Sequence, residues 1–97
     1  MAKRLPPVHP GEILREEFLG PMGLTAYAVA KAIGVPRTRV ERLAREDTPL
    51  TADTALRLSR YFGNSAAFWM GLQAQYDLET AADRIEKDLK RIAPRAA

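Results

Sequence analysis

Between Thr25 and Arg45 (TAYAVAKAIGVPRTRVERLAR) the apolar residues recur three and four apart, and the pattern breaks once, around Gly34. Such spacing predicts amphipathic helices. A break built on a glycine, which supplies a positive φ at no steric cost, predicts a tight turn between two of them. Thr25 is a suitable N-cap for the first helix. Val29, Ala30 and Ile33 face inward, with Tyr27 and Lys31 at the rim, and Ala30 is small where the two helices must approach. Val35 and Val40 sit five apart around Pro36, the spacing of a hydrophobic staple with Pro36 as N-cap. Val40, Leu43 and Ala44 then form the buried face of the second helix. Arg37, Thr38, Arg39, Glu41, Arg42 and Arg45 are left exposed.

The flanking sequence predicts helices on both sides of this pair. Met1 to His9 shows no periodicity and reads as an extended arm. Pro10 is tolerated in a first helical turn, and Ile13, Leu14 and Phe18 follow at helical spacing. Glu12, Glu16 and Glu17 lie where the helix dipole favours acids. A helix from about Gly11 to Leu19 is predicted, stopped by Gly20-Pro21. Further on, Thr51 caps TADTALRLSRYF, with Asp53 in its first turn. Ala55, Leu58 and Phe62 form that inner stripe, Leu56 widens it, and Gly63 ends it. Asn64-Ser65 start a fifth helix whose apolar face is Phe68, Trp69, Leu72 and Tyr76. Trp69 is assigned to the core, because a domain this small needs large side chains to fill it.

A second stripe begins at Leu78 and continues through Ala81, Ala82, Ile85, Leu89 and Ile92 before Pro94 ends it. It arrives after a core has been supplied, so Leu78, Ala82, Ile85, Leu89 and Ile92 are read as a dimer or partner interface. The predicted organisation is all-α: an arm over 1–9, a five-helix domain over 10–77 with its motif at 25–45, and an amphipathic C-terminal helix with a frayed tail over 78–97.

Composition narrows the function. The 97 residues contain no cysteine and one histidine, so thiolate metal sites and His-rich metal clusters are excluded, and His9 is read as a structural or surface residue rather than a catalytic one. Glu16 and Glu17 are sequence neighbours and cannot face one another on a helix, which argues against acid catalysis by a carboxylate pair. No glycine-rich phosphate loop follows a strand, since no strand is predicted. Neither an enzyme, nor a cofactor, nor a small-molecule substrate is expected. Lys3 and Arg4 are not followed by a signal-peptide apolar region, and no apolar run approaches about 18 residues. A soluble cytoplasmic protein without a membrane contact is expected.

The net charge is only +3, but its distribution is uneven. Pro36 to Arg45 carries four arginines against one glutamate, whereas Phe62 to Asp83 carries no lysine or arginine. A helix-turn-helix lays its second helix in the major groove of DNA, with residues at the front of that helix reaching base edges. Arginine matches guanine O6 and N7 bidentately. Arg37, Thr38 and Arg42 are therefore the candidate base readers. Arg39, Arg45 and Lys31 are candidate phosphate clamps, and Thr25 with the N-terminus of its helix can donate N–H groups to a phosphate.

Three segments carry a family resemblance: HPGEILREEFLGPMGLTAYAVAKAIGV, PRTRVERL and LTADTALRLSRYFGNSAAFWMGLQAQYDLE. From about Val8 to Ala82 the chain resembles the HigA-type antitoxins of bacterial toxin–antitoxin modules, a branch of the Cro/C1 (XRE) helix-turn-helix repressors. The resemblance implies a five-helix, lambda repressor-like DNA-binding domain that dimerises on double-stranded operator DNA. It also implies a cognate HigB-type mRNA-cleaving toxin, neutralised by direct binding, and repression of the protein's own operon. By the same resemblance the helix containing Arg37, Thr38, Arg39 and Arg42 supplies the groove contacts. Two positions depart from the family pattern. Ala26 stands where relatives often carry a phosphate-contacting Gln, and the loop from Arg45 to Pro49 lacks their usual glycine, which predicts a different backbone there. Glu46 and Asp47 place opposing charge beside the basic helix. A free-standing regulator with no toxin is the alternative that the same residues allow.

Overall fold

A histidine starts the first helix. In the computed structural model, which describes residues 5–95, His9 is extended (φ −77°, ψ 142°) and its Nδ1 accepts a hydrogen bond from the Gly11 N–H at 2.9 Å. The His9 ring is buried, edge-on to Tyr76 with centroids 4.8 Å apart. Leu5 to Val8 carry no regular secondary structure; the rest of the expected arm, with Lys3 and Arg4, lies outside the described residues, as do Ala96 and Ala97. Pro10 occupies the first helical position, as its missing N–H permits.

Helix α1 spans residues 10–22 in three segments: α-helical Pro10–Ile13, π-helical Leu14–Leu19 and α-helical Gly20–Met22, with right-handed angles at both junctions. The stop expected at Gly20-Pro21 is therefore not observed. An α-helical proline loses one hydrogen bond and crowds the carbonyl four residues back. Here the winding widens just ahead of Pro21, with Gly20 N–H bonded to Arg15 O, and the chain passes the proline without ending. A π-type widening is a recognised way to absorb such a local conflict. Gly23, at φ 63°, ends the helix instead.

Helix α2 is Ala26–Ile33, α3 is Arg37–Ala44, α4 is Ala52–Phe62, α5 is Ala66–Arg84 and α6 is Glu86–Lys90. No strand occurs among the described residues. The caps follow the sequence. The side-chain oxygens of Thr25, Thr51 and Ser65 accept from the N–H groups of Ala28, Thr54 and Phe68 at 3.0, 3.4 and 3.0 Å, each satisfying a donor that the first helical turn leaves unpaired. Gly34 takes φ 74° between α2 and α3, and the Val35 N–H closes the turn on Ala30 O at 3.0 Å.

One core joins α1 to α5. Leu14, Val29, Val40, Ala55, Leu58 and Trp69 are wholly buried, with Leu19, Ile33, Leu43 and Leu50 around them. Trp69 fills the centre as expected, its ring 5.1 Å from that of Phe18 and tilted to it by 42°, while its indole N–H reaches Asn64 Oδ1 at 2.8 Å. That bond satisfies the polar end of a side chain otherwise taken from water. Leu56 does not widen the inner stripe of α4; it is 61% exposed, because it projects beside Tyr61 on the outer side. Phe68, placed on the apolar face of α5, is also substantially exposed, although its ring still meets Trp69 at 5.2 Å.

The separate C-terminal helix expected from Leu78 is not a separate element. Helix α5 runs unbroken from Ala66 to Arg84, breaks at Ile85 (φ −109°, ψ 20°), and resumes as the five-residue α6. Ile92 and Pro94 lie beyond α6. Residues 83–95 are all exposed. A short helical stretch without a surface to pack on is marginal in water, and the β-branched Ile85 is a weak helix former.

Helix α1 meets α3 at Gly11, where a Cβ would run into the Leu43 carbonyl oxygen. Gly71, on the exposed side of α5, has open space at its Cβ position. Gly11→Ala is therefore expected to destabilise the fold by about 2 kcal/mol or more, since backbone must move to admit the methyl. Gly71→Ala should stabilise it by about 0.5–1 kcal/mol through helix propensity. Urea unfolding followed by circular dichroism checks both signs.

Candidate nucleic-acid interface

The geometry of α3 is set from behind. Val40 and Leu43 pack into the core, so the opposite side of a helix with a 3.6-residue period must face out. Arg37, Thr38, Arg39, Arg42 and Arg45 are all exposed. Thr25 lies at the N-terminus of α2 and Lys31 is exposed on its last turn. The structure thus brings the sequence-selected polar residues onto the motif's open surface. The apolar set splits differently: Leu78 and Ala82 lie on α5, Ile85 at the break, Leu89 on α6 and Ile92 past it.

Two arginines outside the motif hold the C-terminal ends of its two helices. Arg15 of α1 donates through Nη1 to Ala44 O at 2.5 Å and meets Glu46 Oε2 at 3.3 Å. Arg57 of α4 donates through Nη1 to Ile33 O at 2.8 Å. Both guanidinium groups therefore sit at helix C-termini, where unpaired carbonyls and the negative end of the dipole attract cations.

The loop after α3 places a left-handed residue without a glycine. Glu46 has φ 66°, and the N–H groups of Glu46 and Asp47 bond to the carbonyls of Leu43 and Arg42, each at 2.9 Å. This is the paired 5→2 and 6→1 pattern of a Schellman ending. Its acids are already engaged: Glu46 with Arg15, and Asp47 with Arg45 at 3.2 Å.

The arginines of α3 differ in their partners. Arg37 meets Glu41 at 3.4 Å, one turn on. Arg39 Nη1 lies 2.6 Å from Asp53 Oδ2, which also accepts from Arg57 Nε at 2.9 Å. Arg42 has no acidic partner among the described residues. Between α3 and the start of α4 lies a groove of about 730 Å³ lined by Thr38, Arg39, Arg42, Thr51, Asp53 and Arg57 among others.

The bracing roles of Arg15 and Arg57 and the link from Arg39 to Asp53 do not emerge from the sequence. The Asp53/Arg57 pair is visible as an acid followed four residues later by a base. The Arg39–Asp53 contact spans fourteen residues and two helices, and no local spacing encodes it.

Comparison with known proteins decides the family. A helix-turn-helix family matches residues 14–69. The antitoxin HigA-1 of Vibrio cholerae is 40% identical over 88 residues, covering 91% of this chain and 83% of the relative. The chain belongs to the HigA-type antitoxins of the helix-turn-helix family. The virulence-associated protein I of Dichelobacter nodosus is 56% identical over 77 residues, 79% of this chain and 71% of that one. Among solved structures, the Pseudomonas aeruginosa antitoxin HigA with the higBA promoter superposes with a TM-score of 0.89 at 44% identity, over 93% of this chain and 99% of that chain. The fold is accordingly the all-helical Cro/C1 type, and the HigA family consists of DNA-binding proteins and not enzymes. No helix among the described residues is long and apolar enough to cross a membrane.

Asp53 links this surface to acid stability. The hydrogen bond from Arg39 holds its carboxyl below the usual carboxylate range; partial desolvation opposes that shift and Arg57 reinforces it. A carboxyl depressed in the folded state stabilises above its unfolded pKa, about 3.9 for Asp, and loses that contribution as pH falls through the folded value. The stability difference between wild type and Asp53→Asn should therefore be constant from neutral pH to about 5 and shrink as pH falls further, through the depressed folded value. Urea midpoints measured across that range check it.

Proposed function

We propose that the chain is an antitoxin that binds operator DNA as a dimer, represses its own operon, and neutralises a HigB-type mRNA-cleaving toxin by direct binding. The observation that carries the DNA part is the outer face of α3: its arginines are exposed opposite Val40 and Leu43, on a helix braced from behind by α1. A relative of the same fold is a HigA with its promoter. Arg37 and Thr38, in the first turn, and Arg42, one turn on, read bases in the major groove. Arg39, Arg45 and Lys31 neutralise phosphates. Thr25 Oγ1 is the cap acceptor for Ala28, which leaves its hydroxyl proton to donate to a phosphate oxygen.

The dimer reading rests on the tail. Leu78 and Ile92 are 67% and 66% exposed, and Ile85 and Leu89 are exposed with them. Such an apolar series on an otherwise charged segment marks an interaction surface. A two-fold partner lets two copies of α3 reach half-sites about 34 Å apart. The absence of a membrane-spanning helix among the described residues fits action in the cytoplasm.

Arg37→Ala and Arg42→Ala should each weaken binding to the upstream region by about 1–3 kcal/mol and relax base preference. Arg45→Ala should weaken all duplexes alike and lower the salt slope by about 0.9. Equal binding by wild type and the Arg37/Arg42 double variant at fixed salt would sink the DNA assignment. Truncation after Leu78 should yield a monomer by light scattering, and a persisting dimer removes the tail from that role. Co-purification with the product of the neighbouring gene tests the toxin partner, and its failure favours a free-standing regulator.

A further inference from the structure

Asp53 is an acid in a groove where DNA contact calls for cations. It lines the same groove as Thr38 and Arg42. Its Oδ2 receives Arg39 Nη1 at 2.6 Å and Arg57 Nε at 2.9 Å. Arg57 is itself anchored, with Nη1 on Ile33 O at 2.8 Å and within 3.5 Å of Gly34 O. The carboxylate is thereby tied to the turn between α2 and α3 and cannot follow Arg39 outward without giving up Arg57. Arg39 is consequently presented as half of an ion pair, whereas Arg42 has no acidic partner among the described residues.

Resting on the DNA-binding reading above, we propose that Asp53 is a brake on DNA affinity: by holding Arg39 it makes each phosphate contact of that cation cost the release of an ion pair. Non-specific binding is supplied almost wholly by cations that neutralise phosphates and release counterions. A guanidinium already paired with a carboxylate contributes less to that sum. The pair is half-exposed on both sides, and such pairs are weak enough to exchange. Base contacts by Arg37, Thr38 and Arg42 would seat α3 and bring a phosphate to a fixed position, where Arg39 trades Asp53 for the phosphate oxygen and Asp53 keeps Arg57. On other sequences no phosphate is held there, and the intramolecular pair persists.

The test uses the full chain on two duplexes, the upstream region and a scrambled version of equal composition, titrated with salt. Wild type, Asp53→Asn, Arg39→Ala and the double variant are compared by fluorescence anisotropy, after circular dichroism confirms folding; Asp53→Ser serves as a second charge-removing variant. Asp53→Asn should bind the upstream duplex about 5-fold more tightly, and the scrambled duplex by at most that factor with a salt slope steeper by up to about 0.9. The specificity ratio is unchanged or rises. In the Arg39→Ala background Asp53→Asn should do neither, because the coupling runs through that pair. Unchanged operator affinity, a fall in the specificity ratio, or an effect that survives without Arg39 overturns the proposal while leaving the DNA-binding reading intact. A wild type that does not discriminate between the duplexes overturns that reading and the proposal with it.

Discussion

The contact between the backbone of Gly11 and the Leu43 carbonyl sets where α3 lies. A hydrogen is all that fits at that point, so α1 and α3 are in close backbone contact there. His9 begins α1 at that spot by accepting from the Gly11 N–H, and Leu14, one turn on, is wholly buried. The segment His9 to Leu14 is therefore a mount for α3. Arg15 completes it with a donor on Ala44 O. A helix that must present side chains to a fixed surface gains from such rigid backing, because a small misplacement of its axis moves every contact together.

Arginine serves two purposes here, and burial of the partner separates them. Arg15 and Arg57 act inside the protein, closing the carbonyl ends of α3 and α2. Arg37, Arg42 and Arg45 point away from it. Arg39 belongs to both groups, exposed yet joined through Asp53 to the bracing Arg57. A second tie crosses the core boundary at Gln73, whose Oε1 accepts the Leu50 N–H at 2.6 Å while its Nε2 donates to Asp77 at 2.8 Å. It fixes the loop after α3 to the long helix α5, so the buried amide ends unpaired at neither atom.

The helix ends show how much was legible in the chain itself. Thr25, Thr51 and Ser65 cap where their side-chain chemistry says they should, and Gly34 turns where a positive φ is required. Gly20-Pro21 misled because local breaking rules assume α-helical hydrogen bonding, and the π-helical stretch ahead of it changes the register. Leu56 misled because a widened stripe extends a face only if something covers it. The tail misled for the same reason: its periodicity is real, yet with residues 83–95 exposed nothing holds it as one helix.

The sequence by itself determined the helical class, the capping and turning residues, the buried faces of α2 and α3, and the set of exposed basic side chains. These depend on spacing along one chain and on the chemistry of single residues, so they are local. Only the tertiary structure decided that Gly11 is a packing contact, that Glu46 adopts the left-handed conformation, and that Arg39, Asp53 and Arg57 share charges. Those depend on distances between residues far apart in sequence, which exist only once the core has placed α1 and α4 around the motif.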